Sequence, residues 1–293
     1  MSASQPHAFA SRRMKFPIVD YRGPHAARDF CASLAQTGFG VLVNHPLDRS
    51  LVESIYAEWL AFFSSDAKYR YPYDPIKLDG YFSPKVSETA KGNVKRDLKE
   101  FFHIYPWGRY PAEVSDAARR YHAAGSSLAG ELLRWVEDFS PAEVRARYSM
   151  PLPGMIENCQ ESLLRVLHYP PLSGAEEPGA ERAAPHEDIN LLTILPAATE
   201  PGLQVKGPDK AWYDVPCDFG LLIVNIGDML QEASGHHYPS TTHRVLNPTG
   251  AAAQKSRISL PLFLHPRREI VLSDRYTVGS YFEERMRELS RNG

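Results

Sequence analysis

The reading of this chain turns on Pro185-His-Glu-Asp-Ile-Asn-Leu-Leu-Thr-Ile-Leu195 and on the short apolar runs that follow it. Those runs occupy residues 191–195, 202–205, 212–215, 221–226, 243–246 and 257–264. Gly207-Pro208-Asp209 and Asn247-Pro248 punctuate them as turns. Many short strands between Gly/Pro turns predict a sandwich or barrel, and the double-sheet jelly roll is the form with a usable interior. The β-like pattern begins near residue 155. Leu163-Leu-Arg-Val-Leu-His-Tyr169 alternates and halts at Pro170-Pro171, and residues 173–184 read as a loop by composition.

Upstream the pattern is mostly helical. After a short strand, Phe16-Pro-Ile-Val-Asp20, residues 26–37 carry Phe30 and Leu34 at helical spacing and stop at Gly38. Residues 41–45 read as a buried strand, and 50–64 as a helix with Leu51, Ile55, Trp59 and Phe62 on one face. Residues 112–137 read as one long helix. Ser140-Pro-Ala-Glu143 has the form of a capping box that starts another. Between them, residues 66–100 form an aromatic and Pro-rich loop that leads into an irregular strand at Asp97-Leu-Lys-Glu-Phe-Phe-His103. Residues 278–290 predict a closing amphipathic helix. The expected class is α+β: a jelly-roll core flanked by helices that are mostly N-terminal. The expected division is a disordered tail over 1–15, a mostly helical part over 16–150 packed on the core, and a jelly-roll part with its C-terminal helix over 151–293.

Composition narrows the function. The chain has 293 residues, 43% hydrophobic and 23% charged, enough to bury a sizeable core. A formal net charge of −2 provides no field to recruit nucleic acid or an anionic membrane. Cys31, Cys159 and Cys217 are widely spaced, forming neither a disulfide framework nor a zinc pattern. No apolar run reaches the roughly 20 residues of a membrane span, and the first 15 residues lack the apolar stretch of a signal peptide. The expectation is a cytoplasmic enzyme, a monomer or weak homodimer, acting on a small molecule.

The chemistry lies in a few polar residues among the strands. On a strand, residues i and i+2 share a face, so His186 and Asp188 can aim at one ion while Glu187 points away. A third ligand must return on a neighbouring strand, and His243 is the preferred candidate. His236 and His237 are rivals, but they sit in Ser-Gly-His-His-Tyr-Pro, which reads as a solvated turn. Two histidines and one carboxylate are the ligand set of a non-haem Fe(II) site with open positions, although Ni, Co or Zn can occupy such a site. Arg257 and Ser259 again share a face. A guanidinium fork accepts a carboxylate through two charge-assisted hydrogen bonds, and the hydroxyl adds a third.

These blocks resemble the isopenicillin N synthase-like branch of the Fe(II)/2-oxoglutarate-dependent oxygenases over nearly the whole chain. The match includes Gly38-Phe-Gly-Val-Leu-Val-Asn-His45, Ser87-Glu-Thr-Ala-Lys-Gly92, Asp97-Leu-Lys-Glu-Phe-Phe102, His186-Glu-Asp188, Gly202-Leu-Gln-Val205, Val224-Asn-Ile-Gly-Asp228, His243-Arg-Val245 and Arg257-Ile-Ser259. The resemblance implies a distorted double-stranded β-helix, iron held by His186, Asp188 and His243, and the distal carboxylate of 2-oxoglutarate held by Arg257 and Ser259. The family also uses an Asn-x-Tyr motif in its cosubstrate site. Here that segment reads Leu167-His168-Tyr169, so Tyr169 is retained and Leu167 stands in place of the Asn.

The expected activity is therefore a dioxygenase using Fe(II), 2-oxoglutarate and O2, which hydroxylates or desaturates a metabolite such as an amino acid or a secondary metabolite. Because Asp188 is present, the halogenase variant of the chemistry is not expected. Two alternatives stand beside it: a 2-oxoglutarate-independent oxidase of the isopenicillin N synthase or aminocyclopropane-carboxylate oxidase type, and a non-catalytic metal- or ligand-binding jelly roll. Candidate substrate-pocket residues are Tyr81, Phe82, Lys85 and Ser87 from the N-terminal loop, Asn190 just past the metal residues, and Tyr281 on the last helix.

Overall fold

The structure, a computed structural model, describes residues 16–84 and 95–291. The expected tail, the 87–92 block, Lys85 and Ser87 lie outside the described residues. In chain order the elements are β1 (Ile18–Asp20), α1 (Ala26–Thr37), β2 (Phe39–Val43), α2 (Arg49–Phe63), β3 (Gly80–Phe82), β4 (Glu100–Ile104), α3 (Ala117–Phe139), α4 (Ala142–Arg145), α5 (Leu152–Ile156) and β5 (Leu163–Tyr169). They continue with β6 (Ala183–His186), β7 (Leu192–Pro196), β8 (Leu203–Lys206), β9 (Trp212–Asp214), β10 (Leu222–Ile226), α6 (Asp228–Ala233), β11 (His243–Val245), β12 (Arg257–Ser259), β13 (Leu262–Leu264) and α7 (Val278–Arg291).

The strands form two sheets. A nine-stranded sheet runs β1-β2-β10-β7-β13-β5-β4-β3, with β12 also paired to β5, and a four-stranded sheet runs β6-β11-β8-β9. Strands from before and after residue 150 share the larger sheet, because β2 pairs with β10 and β4 pairs with β5. The architecture is the double-stranded β-helix, with helices against one side of the larger sheet.

Strand alternation gives the larger sheet two different faces. Leu164, Val166, Phe102, Ile104, Ile194, Leu222 and Val224 turn outward and join the core under α1, α2 and α3. Trp59 of α2 is fully buried there, within ring contact of Phe62, Phe63 and Phe102. The alternate residues Phe39, Val41, Phe101, Leu167, Tyr169 and Ile223 turn inward and meet Ala183, Leu203, Val205 and Val245 of the smaller sheet. The second core fills the space between the sheets, and the polar residues placed among it define the site.

Local signals explain several boundaries. Gly38 ends α1 with φ 74°, its N–H donating to Leu34 O at 2.8 Å. A side chain there would meet the backbone oxygen of Pro239 at 2.5 Å, so glycine is required twice over. Asp48 caps α2 by accepting from Ser50 N at 2.8 Å. The Ser140 capping box is not formed. Ser140 donates back to Val136 O at 2.6 Å, so its hydroxyl finishes α3, and the helix after it lasts only four residues. Two further corrections concern the loops. The run over 257–264 is two strands broken at Leu260-Pro261, and β6 occupies the end of the segment read as loop.

Candidate active site

The smaller sheet positions the histidines. β6 and β11 are antiparallel, and His186 lies directly opposite His243. Opposed side chains on paired strands are close neighbours, and here the two imidazole centroids are 4.3 Å apart. Asp188 lies just past the end of β6 and not on the strand, contrary to the strand-based expectation. Its position is set instead by its backbone oxygen, which accepts from Asp228 N at 2.7 Å. Glu187 does turn away, accepting a hydrogen bond from the Thr242 hydroxyl. Asp188 Oδ1 lies 4.0 Å from His186 Nε2 and 3.8 Å from His243 Nε2. One ligand atom from each of the three residues lies within 4.8 Å of the others.

The surrounding bonds leave three atoms uncommitted. His186 Nδ1 donates to Ala184 O at 2.8 Å, and His243 Nδ1 donates to Thr241 O at 3.1 Å. A carbonyl can only accept, so each Nδ1 donates to it and each Nε2 is turned toward Asp188. Asp188 Oδ2 accepts from Thr193 Oγ1 at 2.5 Å and Asn225 Nδ2 at 2.8 Å, which leaves Oδ1 turned to the histidines. Burial, then the neighbouring His243, push the His186 pKa well down, so the ring is neutral. Burial opposes charge on Asp188, but His243, His186 and the two hydrogen bonds outweigh it and hold the carboxyl below the usual range. Two imidazoles and one carboxylate, each oriented from behind, fit a divalent iron with open positions. His236 is exposed and His237 half-buried, and neither belongs to this cluster.

A second polar group lies on the inner face of the larger sheet. Arg257 pairs with Tyr169 and Ser259 with Leu167 across β12 and β5. Arg257 and Ser259 are each 3% exposed. The Arg257 guanidinium carbon lies 5.0 Å from the Tyr169 ring centroid, and Nε donates to Glu200 O at 2.9 Å. Its Nη1 is buried without a hydrogen-bond partner. Leu167 faces the same interior as Tyr169 and brings no polar atom.

The substrate-pocket candidates separate. Phe82 faces the interior, stacked on Phe101 at 4.5 Å. Tyr81 is its neighbour on the same strand, so it must face the other way. It packs against Phe63 and bonds Glu100 on the helical side, which removes it from the pocket. Asn190 is fully buried behind Asp188, donating to Thr193 Oγ1 at 2.8 Å, and so supports the carboxylate from behind. Gly227 must be glycine for the same reason, since a Cβ would come within 2.2 Å of Asn190 O. Tyr281 is 6% exposed and donates to Asp228 Oδ2 at 3.2 Å, making it a packed residue and not an open lid. Thr193, Asn225 and the buried Arg182 were not singled out from the sequence. Thr193 and Asn225 are polar residues inside otherwise apolar strand runs, and that was a readable signal.

No helix among the described residues is long and apolar enough to cross a membrane. Residues 160–266 match the family profile of the 2OG-Fe(II) oxygenase superfamily, and residues 16–127 match that of the non-haem dioxygenase in morphine synthesis N-terminal region. Gibberellin 2-beta-dioxygenase 1 of Arabidopsis thaliana is 25% identical over 268 residues, 85% of this chain and 78% of the relative. The proline hydroxylase buaE of Petromyces alliaceus is 27% identical over 263 residues, 82% of this chain and 81% of the relative. A solved structure of a protein assigned as an oxygenase from Shewanella oneidensis superposes with a TM-score of 0.86 at 55% identity, covering 94% of this chain and 99% of that one. With that identity over nearly its full length, and with both family profiles matched in sequence order, the chain belongs to the 2-oxoglutarate/Fe(II) oxygenase superfamily and is a dioxygenase that uses Fe(II), 2-oxoglutarate and O2.

Proposed function

We propose that His186 Nε2, Asp188 Oδ1 and His243 Nε2 hold the iron, that Arg257, Ser259 and Tyr169 hold 2-oxoglutarate, and that the enzyme hydroxylates or desaturates a small-molecule metabolite such as an amino acid or a secondary metabolite. The observation that carries this reading is the set of three uncommitted ligand atoms within 4.8 Å of one another. Bound there, Fe(II) with O2 supplies the oxidation, in which 2-oxoglutarate is decarboxylated to succinate and CO2 while a substrate C–H bond is oxidised.

The chain's residues do the positioning. The Ala184 and Thr241 carbonyls hold both Nδ1 atoms, which orients each Nε2 toward the position the metal would take. Thr193 and Asn225 hold Asp188 Oδ2 and prevent the carboxylate from rotating away. Arg257 and Ser259 present a charged fork and a hydroxyl to a carboxylate, and the Tyr169 ring braces the fork. Substrate approaches on the side of His186, whose side chain is 34% exposed while those of Asp188 and His243 are 7% and 10% exposed. The inner aromatic wall of Phe82 and Phe101 suits a substrate with an apolar body. The two curated relatives, named for a gibberellin and for proline, fit a small organic substrate.

The test is anaerobic reconstitution with Fe(II), followed by addition of 2-oxoglutarate. Chelation should produce a weak visible charge-transfer band, which Arg257→Ala abolishes at the same cosubstrate concentration. Iron binding with no band in the wild-type protein would remove the cosubstrate assignment and turn the search to substrates that ligate iron directly.

A further inference from the structure

Arg182 sits four positions before His186 and is 1% exposed. Its guanidinium carbon lies 5.9 Å from the Tyr169 ring centroid, the same ring that Arg257 approaches at 5.0 Å. Two buried guanidinium groups thus lie against one tyrosine. Arg182 Nη2 donates to Lys255 O at 3.0 Å, and Arg257 Nε donates to Glu200 O at 2.9 Å. Arg182 Nε and Arg257 Nη1 are both buried with no partner. Among the described residues neither guanidinium forms an ion pair, whereas the buried Lys99 and the largely buried Lys68 are matched to Asp97 and Glu100.

Burying one cation without a counter-ion is costly, and placing a second beside it is more so. Burial, and next the charge of Arg257, pull the Arg182 pKa down from its ordinary value. Protein carbonyls supply only partial compensation. The arrangement is favourable once an anion enters between the two forks. Arg182 is also anchored for such a role. Its backbone N–H donates to Asn247 Oδ1 at 2.8 Å, and its side chain ties the approach to β6 to Lys255, two residues before Arg257. It therefore links the strand that carries His186 to the strand that carries the carboxylate fork.

We infer that Arg182 is a second recognition residue for the distal carboxylate of the 2-oxo acid. Together with Arg257 and Ser259 it makes one end of the pocket doubly cationic, which selects dicarboxylate over monocarboxylate 2-oxo acids. This rests on the reading that Arg257 and Ser259 hold the cosubstrate. Leu167, opposite Ser259, brings no polar atom to the carboxylate, and Arg182 supplies an additional donor from the Tyr169 end.

The test uses the full chain loaded with Fe(II) under anaerobic conditions and reads the charge-transfer band. The band is titrated with 2-oxoglutarate and, into the millimolar range, with 2-oxobutanoate, which chelates in the same way but lacks the distal carboxylate. Arg182→Met should weaken 2-oxoglutarate about tenfold and leave 2-oxobutanoate unchanged. Arg182→Lys, which keeps the charge and loses the fork, should fall between wild type and Arg182→Met; it carries the test alone if the methionine variant does not fold. Equal weakening of both acids, or of neither, would overturn the inference. Arg257→Met separates the two levels. If it weakens 2-oxoglutarate while Arg182→Met does not, only the role of Arg182 falls. If neither variant matters, the cosubstrate assignment itself falls.

Discussion

Two buried polar clusters lie back to back across β5, on consecutive residues. His168 faces the helices. Its Nδ1 bonds Glu100 Oε1 at 2.7 Å and its Nε2 bonds Ser256 Oγ at 3.0 Å. Glu100 also takes Lys68 at 3.0 Å and the Tyr81 hydroxyl, and Lys68 donates onward to Phe63 O at 2.6 Å. Every charge in that cluster has a partner. Tyr169 faces the barrel interior, where Arg182 and Arg257 keep nitrogens without partners and the His-Asp-His group keeps three ligand atoms free. The same strand thus carries a closed network on one side and an open one on the other. A closed network does all its bonding in the folded protein and contributes to stability. An open one is completed only by a ligand, so its polar groups contribute to binding.

Asp188→Ala removes the carboxylate of the proposed iron site, and turnover should fall by at least about a thousandfold with loss of stoichiometric Fe(II) binding. Its melting temperature should fall as well, because Thr193 Oγ1 and Asn225 Nδ2 lose the acceptor they share. Next, Arg257→Met should weaken 2-oxoglutarate about a hundredfold in a calorimetric titration of the Fe(II)-loaded protein, with iron affinity retained.

Glu100→Gln tests the closed side. It leaves Lys68 and His168 without their carboxylate and should cost about 2 kcal/mol in urea unfolding, short of the usual range because Lys68 keeps the Phe63 carbonyl. Iron and cosubstrate affinities should not change. The pH dependence has a definite sign. Burial raises the Glu100 pKa, but His168, Tyr81 and Lys68 outweigh it and hold the group below its ordinary value. A depressed folded pKa gives stability that is complete above the unfolded carboxylate value of about 4.3 and is lost as pH falls through the folded value. Glu100→Gln should therefore flatten the acid limb of the stability profile, and an unchanged limb would remove this network from the account. The smallest effect belongs to Asn225→Ala, which frees Asp188 Oδ2 of one donor and should weaken Fe(II) about tenfold with little change in 2-oxoglutarate affinity.

The sequence made the inner cluster legible only in part. His186, Asp188 and His243 could be picked out because a candidate ligand set is marked by a short spacing and a strand return. Strand alternation does not place Asp188, since the residue lies beyond the strand and its backbone oxygen accepts from Asp228 N. Arg257 and Ser259 were legible because alternation survives in β12. Tyr81 lies on the other face from Phe82 by the same alternation, against Phe63 and Glu100. The 66–100 segment looked like a loop, and a loop gives no face to count from. Arg182 was hidden for a related reason. It follows a stretch rich in Gly, Ala and Glu that reads as loop, so nothing local marked it as buried. Its role comes from residues distant in sequence, Tyr169, Asn247 and Lys255, which only the folded chain brings together.

The most direct measurement is an anaerobic crystal structure of the Fe(II)- and 2-oxoglutarate-loaded protein, with anomalous data collected on both sides of the iron absorption edge. The expected result is one iron peak bonded to His186 Nε2, Asp188 Oδ1 and His243 Nε2, with the cosubstrate's distal carboxylate against Arg257 and Ser259. An iron peak at His236 or His237, or a cosubstrate carboxylate away from Arg257, would contradict it.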